Sequence, residues 1–153
     1  MQRRDFLTTS LFGTAGLLAS RLPFAPSLDA ASTRATGRKI LIAGGNYNTP
    51  FVRYMAELTG KARPKLLFLP TASADRTDGI LSWYKTCSTI NVTPMVQESF
   101  IASTRQAESW EEVFLSVDGI VASGGNTLNQ QAIWKAQGID VVLRKAWDQG
   151  RDR

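Results

Sequence analysis

Two short stretches carry residue types suited to chemistry at a backbone: Gly44-Gly45-Asn46 and Gly124-Gly125-Asn126-Thr127. Each follows an apolar run. Glycine lets the main chain bring its N–H groups close to a ligand, and a helix start adds partial positive charge, so such a turn suits a phosphate, a carboxylate or a developing oxyanion. Neither stretch matches G-x-G-x-x-G or G-x-x-x-x-G-K-[ST], which leaves dinucleotide and P-loop readings without a fingerprint. On spacing alone a purely structural turn remains open for both.

The residues that usually do catalysis are sparse. The 153-residue chain has one cysteine and no histidine. Ser-His and Cys-His nucleophile pairs, an HExxH zinc site and a histidine acid/base are therefore not supplied by these residues. A lone Cys87 excludes an internal disulfide framework and multi-cysteine metal sites, and reads as a small buried hydrophobe. Ser73 and Ser123 sit near the glycine turns, but neither lies in a G-x-S-x-G elbow, so neither reads as the nucleophile. The formal charge is +5 with 18 Lys and Arg, yet these are scattered with no run longer than two. Spread-out charge is solvated surface, and no nucleic-acid partner is expected.

The elements that must position the turns follow from periodicity. Lys39–Ala43, Lys65–Leu69, Val92–Val96 and Asp118–Ser123 read as strands, the first two as buried apolar runs. Pro94 puts the third at an edge. Between them, Thr49-Pro50 predicts an N-cap and first-turn proline for a helix with Phe51, Val52, Met55 and Leu58 on its apolar stripe. Asp78–Thr89 carries Ile80, Leu81, Tyr84 and Cys87 at helical spacing. Gln106–Ser116 carries Trp110, Val113 and Phe114 on one face. Asn126-Thr127 opens a helix containing Leu128, Ala132 and Ile133, and Gly138 separates it from a last helix over Val141–Trp147. Strand–helix alternation of this length predicts an α/β fold, a doubly wound, mostly parallel sheet with helices on both faces. Ligands of such sheets sit beyond the carboxyl ends of the strands, where both glycine turns lie.

Residues 1–30 read differently. Arg3-Arg4 precede Asp5-Phe6-Leu7, a weakly apolar run over Leu11–Ala19, and then Pro23 and Pro26. This is the order of an export signal, too short in its middle for a bilayer span of roughly 20 apolar residues. R-R-x-F-L resembles the bacterial twin-arginine signal, which implies the export machinery as a partner and a periplasmic or extracellular destination. The expected organisation is a signal over 1–30, a linker over 31–37, the α/β region over 38–150 and an atypical end at 151–153. Asn91-Val92-Thr93 fits a glycosylation acceptor by spacing and reads as a chance match in this context.

The segments Ile40–Gly45, Leu67–Ser73 and Ile120–Leu128 resemble, in order and spacing, the dipeptidase E and cyanophycinase-like serine peptidases, which share the class I glutamine amidotransferase-like, flavodoxin-like fold. The resemblance extends from Arg38 to Gly150. It implies that Gly125 donates its backbone N–H to an oxyanion hole, with Gly124 and Asn126 shaping the turn and Thr71 in a loop at the substrate rim. It implies a peptide substrate, hydrolysis of Asp-X or related bonds through an acyl-enzyme, and no metal or organic cofactor. The family's serine lies in a G-x-S-A-G turn on the next strand, followed by its histidine and acidic partner. Arg151-Asp152-Arg153 is not such a strand, and Asp140 and Asp148 cannot replace an acid that belongs after the serine. The expectation is an N-terminal portion of an exported peptidase, incomplete at the C-terminus and inactive alone. Two alternatives stand beside it: a non-catalytic flavodoxin-like or Rossmann-like module for a small anion or nucleotide, and an interrupted product that folds poorly.

Overall fold

The computed structural model describes residues 37–45, 47–100 and 108–150, all within the unit Ala35–Arg153. The expected signal, most of the linker, Asn46 and residues 151–153 lie outside the described residues. Among the described residues three parallel strands, β1 (Lys65–Leu69), β2 (Thr93–Val96) and β3 (Gly119–Ala122), form a sheet in the order β2-β1-β3. Leu67 faces Met95 of β2 on one side and Ile120 of β3 on the other. Among the described residues five α-helices accompany it: α1 (Thr49–Leu58), α2 (Thr77–Cys87), α3 (Trp110–Leu115), α4 (Thr127–Gln137) and α5 (Ile139–Gln149). The parallel α/β architecture is the expected one.

β1 shows why the sheet must be covered on both faces. Its side chains alternate, so Leu66 and Phe68 pack with Val52 and Ala56 of α1 and Trp83 and Cys87 of α2. Leu67 and Leu69 pack on the opposite side with Val113 and Phe114 of α3 and Ile139 of α5. A continuous apolar strand is stable only in this sandwiched position. Phe68 stacks on Trp83 at 5.3 Å between ring centroids, and Tyr47 meets both rings edge-on. Pro94 lies in β2, which among the described residues pairs with β1 alone. An edge strand tolerates the missing N–H.

Several local expectations shift. Lys39–Ala43 forms no strand, and Ile40 and Ile42 are 71% and 88% exposed. Apolar character makes a strand only where a neighbour offers a ladder of backbone partners, and no described strand pairs with this run. Its start is instead held by polar contacts. Arg38 lies over the Trp147 ring at 4.7 Å and bonds Asp148, while Lys39 Nζ reaches the carbonyl of Leu58. Asn48, not Thr49, caps α1, accepting the Phe51 N–H at 3.0 Å. In α2 the buried residues are Trp83 and Cys87, while Leu81 and Tyr84 turn to solvent. The Glu-rich helix begins at Trp110, because Ser109 and Glu112 close a reciprocal capping box ahead of it. Asn91 donates its side-chain N–H to the Ala62 carbonyl, and Val92 is buried.

Cys87 is buried, and desolvation pushes its thiol up to about 11. The native state thus keeps a proton that the unfolded chain releases first. Stability is full below the ordinary thiol pKa and falls as pH rises through the window up to about 11. Native chain is expected to resist a thiol-modifying reagent at pH 8 while urea-unfolded chain reacts. Cys87→Ser should flatten the loss of stability above pH 9, measured by urea unfolding at a series of pH values.

Candidate active-site cleft

At the carboxyl end of the sheet, the turns that leave β1 and β3 come together. β1 runs through Pro70 into a single 3-10 turn, Thr71–Ser73, and β3 runs into Gly124-Gly125. Gly125 has φ +146°, and a Cβ there would stand 2.2 Å from the Ala72 carbonyl oxygen. Only glycine fits this approach. The Asn126 N–H donates to the same carbonyl at 2.7 Å, so the two turns are joined by a short hydrogen bond beside an approach too close for any Cβ. The Asn126 side chain then caps α4 by accepting the Asn129 N–H at 3.0 Å. Gly124 has open space around its Cβ position.

These turns form one wall of a cleft of about 810 Å³. Gly45 and Tyr47 bring the other glycine turn to the same cleft, and Ser73, Arg76, Asp78, Ser123, Gly124 and Gly125 line it. Both sequence-singled turns thus meet in one place. Gly125 is exposed, and its N–H bonds to no described residue. A free N–H at a rigid turn before a helix is a donor poised for an anionic oxygen. Tyr47 donates its hydroxyl to the Gly79 carbonyl at 3.3 Å, and burial raises its pKa above the ordinary value. It stays a neutral phenol at physiological pH.

Thr71 has a different place from the rim position implied for it. It is fully buried, its hydroxyl lying 2.6 Å from that of Ser99 and accepting the indole N–H of Trp134 at 3.1 Å. Gln137 donates to the Ser99 carbonyl. Thr71 therefore ties the end of β1 to α4 from the inside, and its side chain does not line the cleft. Ser73 donates its hydroxyl to the Pro70 carbonyl at 2.8 Å, and the Ser123 hydroxyl is buried with no described partner. Two residues that spacing gave no reason to notice also shape the site. Ala74 and Asp75 both adopt positive φ, +57° and +52°, and Asp75 Oδ2 accepts the backbone N–H groups of Ser99 and Phe100. Among the described residues no helix is long and apolar enough to cross a membrane.

Residues 39–151 match peptidase family S51. The chain belongs to this family. It is also 30% identical over 116 residues to the uncharacterized peptidase YgaJ of Bacillus subtilis (strain 168), an alignment covering 72% of this chain and 49% of that protein. The chain thus spans about half the length of the curated relative it matches. The cleft and both of its glycine turns fall inside the matched region.

The two adjacent glycines make a paired test. Gly125→Ala must push the Ala72 carbonyl away and hold alanine at an unfavourable φ, at a cost of about 1–3 kcal/mol. Gly124→Ala meets no neighbour and is expected to change stability by less than about 0.5 kcal/mol. Urea unfolding of the two variants measures both, and equal costs would contradict the contact.

Proposed function

We propose that this chain is the N-terminal part of an exported serine-type peptidase of family S51, and that Gly125 supplies a backbone donor of its oxyanion hole. The reading is carried by one observation above the rest: Gly125, whose N–H bonds to no described residue, lines a cleft at the carboxyl ends of parallel strands, inside the segment that matches the family. Gly125 and Asn126 hold the turn in register with Ala72, and Thr71 holds the opposite turn from within.

The chemistry assigned to the whole enzyme is hydrolysis of Asp-X or related peptide bonds. A serine hydroxyl attacks the scissile carbonyl carbon while a base takes its proton, and the carbonyl oxygen becomes an oxyanion facing the Gly125 N–H. Collapse of that intermediate breaks the C–N bond. The amine departs with the proton, leaving an acyl-serine that water attacks in turn. The 153 residues contain no histidine and no G-x-S-x-G turn. In this proposal they therefore supply the oxyanion turn and cleft wall, not the nucleophile, base or orienting acid, and they are inactive alone. Arg3-Arg4-x-Phe6-Leu7 supports delivery through the twin-arginine route to the periplasm or exterior.

Purified chain is expected to leave Asp-Leu intact, with free leucine no higher than in a buffer blank; turnover above blank overturns the inactivity. Replacing both Arg3 and Arg4 by Lys in a bacterial host is expected to hold the chain in the cytoplasmic fraction. Unchanged export of that variant overturns the assigned route.

A further inference from the structure

Among the described residues lining the cleft, Arg76 carries the one positive charge and Asp78 the one negative charge. Their placement is built rather than incidental. Chain leaving the 3-10 turn passes through two consecutive left-handed residues, Ala74 and Asp75, a conformation non-glycine residues hold only when the surroundings fix it. What fixes it is visible. The Ala74 N–H bonds the Thr71 carbonyl, the Asp75 N–H bonds the Pro70 carbonyl, and the Asp75 carboxylate clamps the N–H groups of Ser99 and Phe100. The next residue is Arg76, delivered to the start of α2 at the cleft.

The guanidinium is then oriented. Nε donates to Asp78 Oδ1 at 3.1 Å and Nη2 to Oδ2 at 2.7 Å, while Oδ1 also accepts the Gly79 N–H at 2.9 Å. This pairing occupies one edge of the fork, with both side chains about two-thirds exposed. Nη1 donates to no described residue. An arginine held by one carboxylate on one edge presents its other edge to a second carboxylate.

We propose that Arg76 is the specificity-determining residue of the cleft: it reads a carboxylate of the peptide through its free Nη1 edge, with Asp78 as its positioning residue. The assignment rests on the reading of the cleft as a peptide site. Both an acidic side chain and a C-terminal carboxylate offer this chemistry, and the test separates them.

The experiment is an NMR titration of isotope-labelled full chain, following the Gly124 and Gly125 amides, with Asp-Leu, Asn-Leu and Asp-Leu-amide. Removing the carboxylate that Arg76 reads should weaken wild-type binding about tenfold, as loss of a charge-assisted hydrogen bond does. R76Q, at an exposed position, should weaken Asp-Leu by a similar factor and bind Asp-Leu and the affected analogue equally, with amides remote from the cleft unmoved. R76K should fall between. A loss confined to Asn-Leu assigns the side-chain carboxylate, and one confined to Asp-Leu-amide assigns the terminal one. If all three peptides bind wild type equally, or R76Q keeps the preference, the role of Arg76 is overturned and the peptide cleft stands. If none of them shifts the Gly124 and Gly125 amides of the wild type, the peptide cleft and the role of Arg76 both fall.

Discussion

The approach of Gly125 to the Ala72 carbonyl is the constraint on which the cleft depends. β1 and β3 are neighbours held by a parallel ladder, with Leu69 opposite Ala122 at its carboxyl end. Past that point the ladder stops and each strand turns toward a different helix. Without a further contact the two turns would be joined by little more than the bond from Ser123 N–H to the Leu69 carbonyl. The missing side chain at Gly125 lets the chains close, and the Asn126 N–H locks them at 2.7 Å. The adjacent Gly125 N–H bonds to no described residue. One close approach therefore sets the shape of the wall beside that donor.

Behind that contact stands a set of buried and half-buried polar bonds that braces the 3-10 turn. Thr71 reaches Ser99 and Trp134, Gln137 reaches the Ser99 carbonyl, and Asp75 reaches the Ser99 and Phe100 amides. The segment around Ser99 thus acts as a brace between the turn and α4. Buried polar groups are costly unless paired, so this brace has one favourable arrangement and many poor ones. That selectivity suits a region where an amide must point in one direction. The apolar core below, with Phe68 against Trp83 on one face and Leu67 against α3 and α5 on the other, supplies cohesion but no such direction.

What could be seen in the sequence divides along the same line. The sheet, the edge position of Pro94, the burial of Cys87 and the two glycine turns follow from local apolar runs and local breakers, and each is written within a few residues. Lys39–Ala43 has the same apolar signature as Lys65–Leu69, yet only the latter finds neighbours on both sides; pairing is not a property of the run that pairs. The face of α2 slipped for a related reason. Ile80, Leu81, Tyr84 and Cys87 make a plausible stripe, but Trp83 fits against Phe68 and draws the buried side toward itself. The inward turn of Thr71 depends on Ser99 and Trp134, which are 28 and 63 residues away. Asp75 carries no motif at all, since its partners are main-chain groups and its unusual φ is invisible in residue type.

Strain and the proposed recognition meet at the same short stretch. Holding Ala74 and Asp75 in the left-handed region costs energy that a loop free to choose would not spend, and glycine at either place would relieve it. The chain instead uses alanine and an aspartate whose carboxylate is the restraint. Such an arrangement makes sense when the residues that follow must arrive at a fixed place. Here the next ones are Arg76, whose guanidinium is squared against Asp78, and the first turn of α2. The cleft then has two fixed reference points of different kinds: an uncharged amide donor at Gly125, set by a steric fit, and a charged fork at Arg76, set by strain and an ion pair. On the proposed reading, a peptide bound between them would be aligned by charge at one end and polarised at the other, a division of labour that needs both turns to hold their geometry before the substrate arrives.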